Sequence, residues 1–361
     1  MVQRLIRTTR VLQVMRGVAV GVGLGLLSSC SAPAPPQSEA SPIAPPSPVV
    51  ANAPKVVATT TILCDLVRQI AQNTVDLTCL LKPGVDGHVY QPVPGDRKAI
   101  EDAQLILYSG YDFEPGLIKL IQSTSNPAPK IAVAERAVPK PLMGHAHAEH
   151  ADDDHAGDDH AHEEPAGHAE AGDTPDPHVW QSAANGAKMA TVVQEALIAL
   201  NRDRQTEYAQ TGKALVSQLQ AIHQWIQGQI ATIPEAQRQL VTTHEAMAYY
   251  ADAYNIPIDG VLQGLSTEAK PTPTQVKALV DQVVALQVPT IFAEVVVNPK
   301  LIEAIARDAK VKVAAQPLYT DSLGGADSEA QTYPQMLIVN TRTIVQGLNG
   351  RYVAFAPAAT P

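Results

Sequence analysis

Three histidines and one aspartate stand in loops beside the ends of predicted β-strands. They are His88 in GVDGHVY, His178 in DPHVW, His244 in VTTHEAM and Asp321 in QPLYTDSLG. In open α/β sheets the carboxyl ends of the strands face the ligand crevice, so residues far apart in sequence can converge there. Three imidazoles and one carboxylate suit a tetrahedral Zn²⁺ ion with ligand distances of about 2.0 to 2.2 Å. Mn²⁺ prefers more oxygen ligands, so this set favours zinc, with manganese as the alternative.

The segments around these residues alternate between short apolar strands and helices, which predicts parallel α/β topology. Strands are expected at residues 55–62, 75–81, 104–108, 239–243, 258–262, 290–293 and 311–315. Helices are expected at 63–72, 245–254, 274–286, 299–309 and 333–348, with Asp96 as the N-cap of another. The helical pattern of 182–230 could be a long connecting helix followed by a second one. We therefore predict two Rossmann-like α/β lobes with parallel sheets, at 55–181 and 213–350. A linking helix at 182–212 should join them, with the metal site in the cleft.

The first 54 residues carry features of an exported, lipid-anchored protein. A basic start precedes the apolar stretch from Val18 to Leu27, which is shorter than the roughly 20 residues of a membrane-spanning helix. The LSSC that follows resembles the lipobox of bacterial lipoproteins, which predicts a signal peptide at 1–29 and lipidation of Cys30. The alternative is a plain secretory signal in which Cys30 is incidental. Residues 30–54, rich in Pro, Ala and Ser, should form a tether, and 351–361 a tail.

Cys64 and Cys79 are the two cysteines that remain besides Cys30. Outside the cytoplasm they could form a disulfide, and the alternative is a pair of buried free thiols. Spacing does not decide between them, because a disulfide requires a specific geometry.

The net charge of −10 belongs to one segment of the chain. Eleven of the 36 acidic residues lie within 141–178, which holds no Lys or Arg, leaving 25 acidic against 26 basic residues elsewhere. No basic patch points to nucleic acid. The segment is of low complexity and lacks large apolar residues, so 141–177 is predicted to be a disordered loop.

This loop contains seven histidines, which form a feature separate from the four residues above. A flexible chain of imidazoles and carboxylates can bind metal ions weakly and raise their concentration near the cleft. The alternative is a solvated spacer whose histidines are dispensable. The residues concerned are His145, His147, His150, His155, His160, His162 and His168.

Five motifs occur in order along the chain: GVDGHVYQPVPGD, DPHVW, VTTHEAMAYYADAYNI, IFAE and YTDSLG. In this order they resemble the metal-binding substrate-binding proteins of ABC transporters for zinc and manganese uptake, from about residue 55 to 348. The resemblance implies two α/β lobes bridged by one long rigid helix. It also implies an extracytoplasmic, monomeric protein that delivers its metal to an ABC permease and is held at the membrane by the lipid.

The resemblance places the family's four metal ligands at His88, His178, His244 and Asp321. Zinc-binding members usually have His at the third position, whereas manganese-binding members often have Glu, so this position again favours zinc. The stretches LSTEAKPTPTQV and YTDSLGGAD resemble manganese-type members instead. The family usually has Pro before the first ligand, and Gly87 in its place predicts a more mobile loop.

Glu294, in IFAE, is expected near the cleft. It is a candidate for a carboxylate that supports a ligand from behind. A helix-capping or an ion-pairing role is equally open.

Two other functions fit parts of the pattern. A zinc hydrolase would need three histidines and a water on the metal, but Asp321 would close the fourth position and no HExxH motif is present. A surface adhesin or general metal buffer would need no permease. We therefore predict a transport protein and not an enzyme.

Overall fold

Four parallel strands form the first sheet of the computed structural model, which describes residues 51–144, 174–268 and 270–356. Their spatial order is β2-β1-β3-β4. The strands are β1 (Lys55–Ala58), β2 (Asp76–Cys79), β3 (Leu105–Tyr108) and β4 (Lys130–Ala132). Val56, Val57 and Ala58 are all buried, as expected for a central strand covered on both faces. We call the part of the molecule built on this sheet the N-terminal lobe.

The helices of this lobe begin at identifiable caps. They are α1 (Thr61–Ala71), α2 (Pro94–Asp102), α3 (Pro115–Ser123) and α4 (Val133–Ala137). The prediction of a strand up to residue 62 was wrong, because Thr60 caps α1 by accepting a hydrogen bond from Leu63 N at 3.2 Å. Asp96 is not an N-cap either: it lies in the first turn of α2, where its carboxylate accepts from Val93 N at 2.8 Å.

Cys64 in α1 and Cys79 at the end of β2 are joined by a disulfide, with their Cα atoms 5.9 Å apart. Of the two alternatives for this pair, the structure contains the bridge. The disulfide ties α1 to the strand that leads into the His88 loop.

The prediction of a disordered loop at 141–177 is wrong at both ends of that range. β5 (Met143–Gly144) and β6 (Thr174–Pro175) pair in antiparallel fashion, so the ends of that range are ordered. Residues 145–173, with all seven loop histidines, lie outside the described residues, as do the predicted signal peptide, Cys30 and most of the predicted tether.

Two long helices follow within 182–230, where the sequence predicted a long connecting helix followed by a second one. α5 (Ala183–Leu200) ends at Asn201, and after a 3₁₀ turn the chain continues as α6 (Gln205–Ile230). Asn201 has φ −140° and ψ 88°, which no helix contains, so the chain turns there. α6 packs against α5 and also against α1 and α10 (Tyr333–Gly347), which connects both ends of the molecule.

The second sheet repeats the strand order of the first. Its strands are β7 (Leu240–Val241), β8 (Ile258–Gly260), β9 (Thr290–Ile291) and β10 (Lys312–Val313). β7 pairs with β8 and β9 with β10, all in parallel. Phe292 N donates to Val241 O at 3.0 Å and joins β9 to β7, giving the order β8-β7-β9-β10. We call the part built on this sheet the C-terminal lobe.

This lobe has three further helices, α7 (Ala248–Tyr254), α8 (Pro273–Leu286) and α9 (Pro299–Ala309), of which α8 and α9 pack against its strands. Val241, Ile291, Leu279, Val283 and Ile302 form a buried cluster of their own beneath α8 and α9. The prediction of an α/β fold with parallel sheets is confirmed. No helix among the described residues is long and apolar enough to cross a bilayer.

Candidate metal centre

His88 lies in the loop after β2 and is held mainly through its backbone. Its amide donates to Asp86 Oδ1 at 3.0 Å, and its ring meets the ring of Phe113 edge-on, with centroids 4.7 Å apart. A Cβ atom on Gly87 would lie 2.6 Å from Phe113 Cε1. The structure thus gives this glycine a packing role: a side chain there would displace the ring that supports His88.

His178 is supported from behind by a carboxylate of its own loop. Asp176 Oδ1 accepts from His178 N and also pairs with His178 Nδ1, both at 2.8 Å. The following 3₁₀ turn, residues 179–181, brings the buried Trp180 beneath the imidazole, with ring centroids 5.5 Å apart. This arrangement orients Nε2 of His178 into the cleft.

His244 follows β7 and is supported by Glu294, which follows β9. Glu294 Oε1 accepts from Thr243 N at 2.6 Å and from His244 N at 2.9 Å, while its Oε2 contacts His244 Nδ1. The helix-capping alternative for Glu294 is wrong, because Asn298 caps α9. The carboxylate lies behind the imidazole and pairs with it.

Asp321 follows β10 and faces all three imidazoles. Its Oδ1 lies 3.4 Å from His178 Nε2, and its Oδ2 lies 3.2 Å from His244 Nε2 and 3.9 Å from His88 Nε2. His88 Nε2 and His178 Nε2 are 3.3 Å apart. The four residues are 0 to 6% exposed.

The loop that carries Asp321 is tied to the N-terminal lobe. Trp180 Nε1 and Gln181 Nε2 donate to Thr320 O, and Gly84 N donates to Ser322 Oγ at 2.9 Å. Leu323 N donates to Thr61 Oγ1 at 2.9 Å. The carboxylate is therefore positioned from both sides of the cleft.

The four side chains offer donor atoms that all lie within 4.8 Å of one another. Two ligands of a tetrahedral ion at 2.0 to 2.1 Å are about 3.3 Å apart, close to the separations above. Neither oxygen of Asp321 accepts a hydrogen bond of normal geometry within the described residues. A buried carboxylate that faces three converging imidazole nitrogens fits a cation.

The pKa values of two histidines at this centre are shifted in opposite directions. Burial lowers the pKa of His88 to about 3, with Asp321 opposing the shift. Burial also lowers the pKa of His244, but the charges of Glu294 and Asp321 outweigh it and leave that pKa raised. Burial raises the pKa of Asp321, and the three imidazoles, His244 first, reverse this and leave it lowered. A cation that replaces the proton of His244 would therefore compensate the two carboxylates.

Sequence reasoning missed two aspartates that stand two residues before a histidine. Asp86 precedes His88 and Asp176 precedes His178, and each accepts from the histidine amide. The repeated Asp-x-His pattern was the available signal, since a short acidic side chain commonly accepts from the amide two residues on. Asp86 Oδ2 also accepts from Thr267 Oγ1 at 2.5 Å, a contact that the sequence does not indicate.

Comparisons with known proteins are consistent along nearly the whole described chain. The family model described as zinc-uptake complex component A, periplasmic (ZnuA), matches residues 56–347. The manganese-binding lipoprotein MntA of Halalkalibacterium halodurans is 30% identical over 295 residues, covering 82% of this chain and 88% of that protein. MntA of Bacillus subtilis is 31% identical over 298 residues, covering 81% and 89%.

A solved structure agrees in fold. The periplasmic zinc-binding protein TroA from Treponema pallidum has a TM-score of 0.71 and 28% sequence identity, over 82% of this chain and 99% of that chain. The family consists of periplasmic binding proteins of transporters. This confirms the resemblance seen in the sequence, the extracytoplasmic location and the prediction that the chain is not an enzyme. The chain belongs to the ZnuA family of metal-binding, substrate-binding proteins of ABC transporters.

Proposed function

We propose that this protein captures Zn²⁺ through His88, His178, His244 and Asp321 and delivers it to the permease of an ABC transporter. The observation that carries this proposal is the convergence of three buried imidazole nitrogens on one buried carboxylate, whose nearest polar neighbours among the described residues are these nitrogens. Removing such groups from water is costly unless a cation pairs with them.

The donor set supports zinc as the cargo. Three nitrogens and one carboxylate suit Zn²⁺, whereas Mn²⁺ would need further oxygen ligands, usually water. The near-complete burial of the four residues leaves little room for such water. Manganese is the alternative cargo, because the two MntA relatives are named for manganese and TroA for zinc. Both oxygens of Asp321 face imidazoles, so a chelating carboxylate would give the higher coordination that manganese prefers.

Metal analysis of the purified protein, followed by competition between Zn²⁺ and Mn²⁺, tests the cargo. We expect one zinc ion in the cleft, bound at least about 100-fold more tightly than manganese, in line with the ligand preferences of the two ions. His244→Gln should abolish tight binding. His223→Gln, which removes an imidazole on α6 beside Tyr254, is the matched control. Tighter binding of manganese would contradict zinc as cargo, and tight zinc binding by His244→Gln would contradict the ligand set.

The seven loop histidines are proposed as a weak collecting site for the same ion. The two described ends of the loop pair in β5 and β6, and Thr174 and Pro175 line a cavity beside His88. The loop is therefore anchored at the cleft. Deleting residues 145–172 should reduce the number of weakly bound zinc ions and leave one tight site. An unchanged total stoichiometry would leave only a spacer role.

The N-terminal segment is proposed to anchor the protein at the outer face of the membrane. Signal cleavage after residue 29 and lipidation of Cys30 would leave a tether reaching on the order of 70 Å if extended, at about 3.1 Å per residue. The mature chain would then comprise lobes at 55–181 and 213–350, linked at 182–212, and would act as a monomer. Cys30→Ser should release the protein from the membrane fraction. Retention of that variant would contradict the lipid anchor, and a dimer in sedimentation would contradict the monomer.

A further inference from the structure

A cavity of about 340 Å³ opens beside His88, between the two lobes. Tyr111 and Asp112 line it from the N-terminal lobe, and Leu265 and Ser266 line it from the C-terminal lobe. His88 is the one among the four proposed ligands that lines this cavity, and it is 6% exposed, against 2% or less for the other three. At about 30 Å³ per water molecule, the space suffices for a divalent cation with its first hydration shell.

The backbone that presents Asp112 to this cavity is unusual. Gly110, Tyr111 and Asp112 have φ values of 92°, 50° and 57°, three consecutive residues in the left-handed region. For residues other than glycine this conformation costs about 1 to 2 kcal/mol each. It is held in place because Tyr111 N donates to Glu135 Oε1 at 2.8 Å and Tyr111 Oη donates to Val138 O at 2.6 Å. Strain that persists beside a binding site suggests a role for the residue it positions.

The carboxylate of Asp112 has no hydrogen bond or ion pair within the described part of the chain. A second cavity, of about 530 Å³, reaches Asp86 and Thr267 and differs in charge. Lys270 and Lys300 line that second cavity, and Asp86 already accepts two hydrogen bonds. A divalent cation is therefore attracted to the first cavity and repelled from the second.

We propose that the cavity beside His88 is the path of the metal ion and that Asp112 is its relay carboxylate. Asp112 takes the hydrated divalent cation from solution and passes it to His88, the ligand that faces the cavity. The relay rests on the proposed function, because it requires His88 to be a ligand. A relay group that is absent from the final coordination lowers the barrier in both directions. It therefore changes the rates of binding and release equally and leaves the affinity unchanged.

Zinc association and chelator-driven dissociation, measured by stopped-flow on the purified protein, test the relay. In Asp112→Asn both rate constants should fall by about three- to tenfold, the contribution of one steering charge, with Kd within twofold of the original. Asparagine tolerates the left-handed backbone, so this variant should fold. Asp112→Glu should restore both rates. Asp203→Asn is the matched control, since this exposed residue lies beyond the end of α5 that is remote from His178, and the 18-residue helix is about 27 Å long at 1.5 Å per residue.

The outcomes separate the relay from the proposed function. If the unaltered protein binds zinc tightly but Asp112→Asn has the rates of the control, the ion takes another path and the relay is overturned. Weaker equilibrium binding with faster release would make Asp112 part of the coordination or of its support, which also overturns the relay. Failure of the unaltered protein to bind zinc would contradict the proposed function itself.

Discussion

The two lobes have the same strand order but use the ends of their strands differently. After β1 of the N-terminal lobe comes Thr60, whose side chain caps α1. After β7, the equivalent strand of the C-terminal lobe, comes His244, whose Nε2 faces Asp321. The same place at the edge of a parallel sheet starts a helix in one lobe and presents an imidazole in the other.

A buried glutamate also recurs at equivalent places in the two sheets. Glu114, after β3, accepts from Ser109 N and Thr59 Oγ1, both at 2.7 Å, and its Oε2 has no partner within the described residues. Glu294, after β9, accepts from two amides and turns its Oε2 to His244. The fold thus provides a carboxylate pocket twice, and the imidazole beside one of them makes that carboxylate a support for a proposed metal ligand.

Among the carboxylates, removing Asp321 should have the largest effect, because this one carboxylate of the C-terminal lobe faces imidazoles from both lobes. We expect Asp321→Ala to weaken zinc binding by more than about 100-fold, beyond what loss of a group behind a ligand costs. Competition with a chelator of known affinity measures this. Asp308→Ala, an exposed change on α9 of the same lobe, should bind normally. A loss below tenfold for Asp321→Ala would show that the lobes do not share this carboxylate.

Glu294 and Asp176, the two carboxylates behind the imidazoles, should contribute differently to the zinc affinity. In Glu294→Gln the amide oxygen can serve the two backbone donors, so its NH₂ faces His244 Nδ1. The ring proton then moves to Nε2 of His244, and that nitrogen loses the lone pair with which it would bind the metal. We expect a loss of about 100-fold there, but about tenfold in Asp176→Asn, whose amide oxygen still accepts from His178. Equal losses, measured by the same competition, would contradict the tautomer argument.

Glu114→Gln should alter stability and spare the metal affinity. Burial raises the pKa of Glu114 from 4.5 to about 7, against the hydrogen bonds from Ser109 and Thr59. A carboxyl with a raised folded pKa stabilises the fold below its unfolded pKa and loses that contribution as the pH rises through 7. The variant should therefore gain about 2 to 3 kcal/mol relative to the original between pH 5 and pH 8.

Urea unfolding of the metal-free protein at both pH values measures that gain. Glu101→Gln, at a half-exposed carboxylate on α2, is the control. If the free energy of unfolding changed equally with pH in Glu114→Gln and in the original protein, ionisation of the buried Glu114 would not destabilise the fold.

Among the changes that weaken binding, Gly87→Ala should have the smallest effect. Its Cβ would approach Phe113 Cε1 to 2.6 Å and shift the ring that contacts His88. We expect zinc affinity to fall by about three- to tenfold, corresponding to the 1 to 3 kcal/mol range of overpacking at its low end. Gly95→Ala, where a Cβ would meet no atom within 4 Å, is the matched control. Unchanged affinity in Gly87→Ala would show that the His88 loop adapts.

Much of the fold followed from local patterns. The strand and helix alternation predicted β3, β8, α8, α9 and α10 to within two residues at each end. The second helix within 182–230 was expected, but the linking helix was given an end at 212 and α5 ends at Leu200, because Asn201 carries no strong breaking signal. The start of α1 was misplaced because TTTI is as compatible with a strand as with a cap and a first turn.

The sequence by itself determined the kinds of donor, the Asp-x-His pairs and the α/β class, since these depend on residue type and on contacts within a few positions. The tertiary structure alone decided that Glu294 reaches His244, fifty residues away, and that Asp321 lies between imidazoles of two lobes. It also decided that Asp112 lines the cavity beside His88. The reason is physical: parallel sheets collect the ends of distant strands at one edge, and only the packing of two such sheets determines which ends meet.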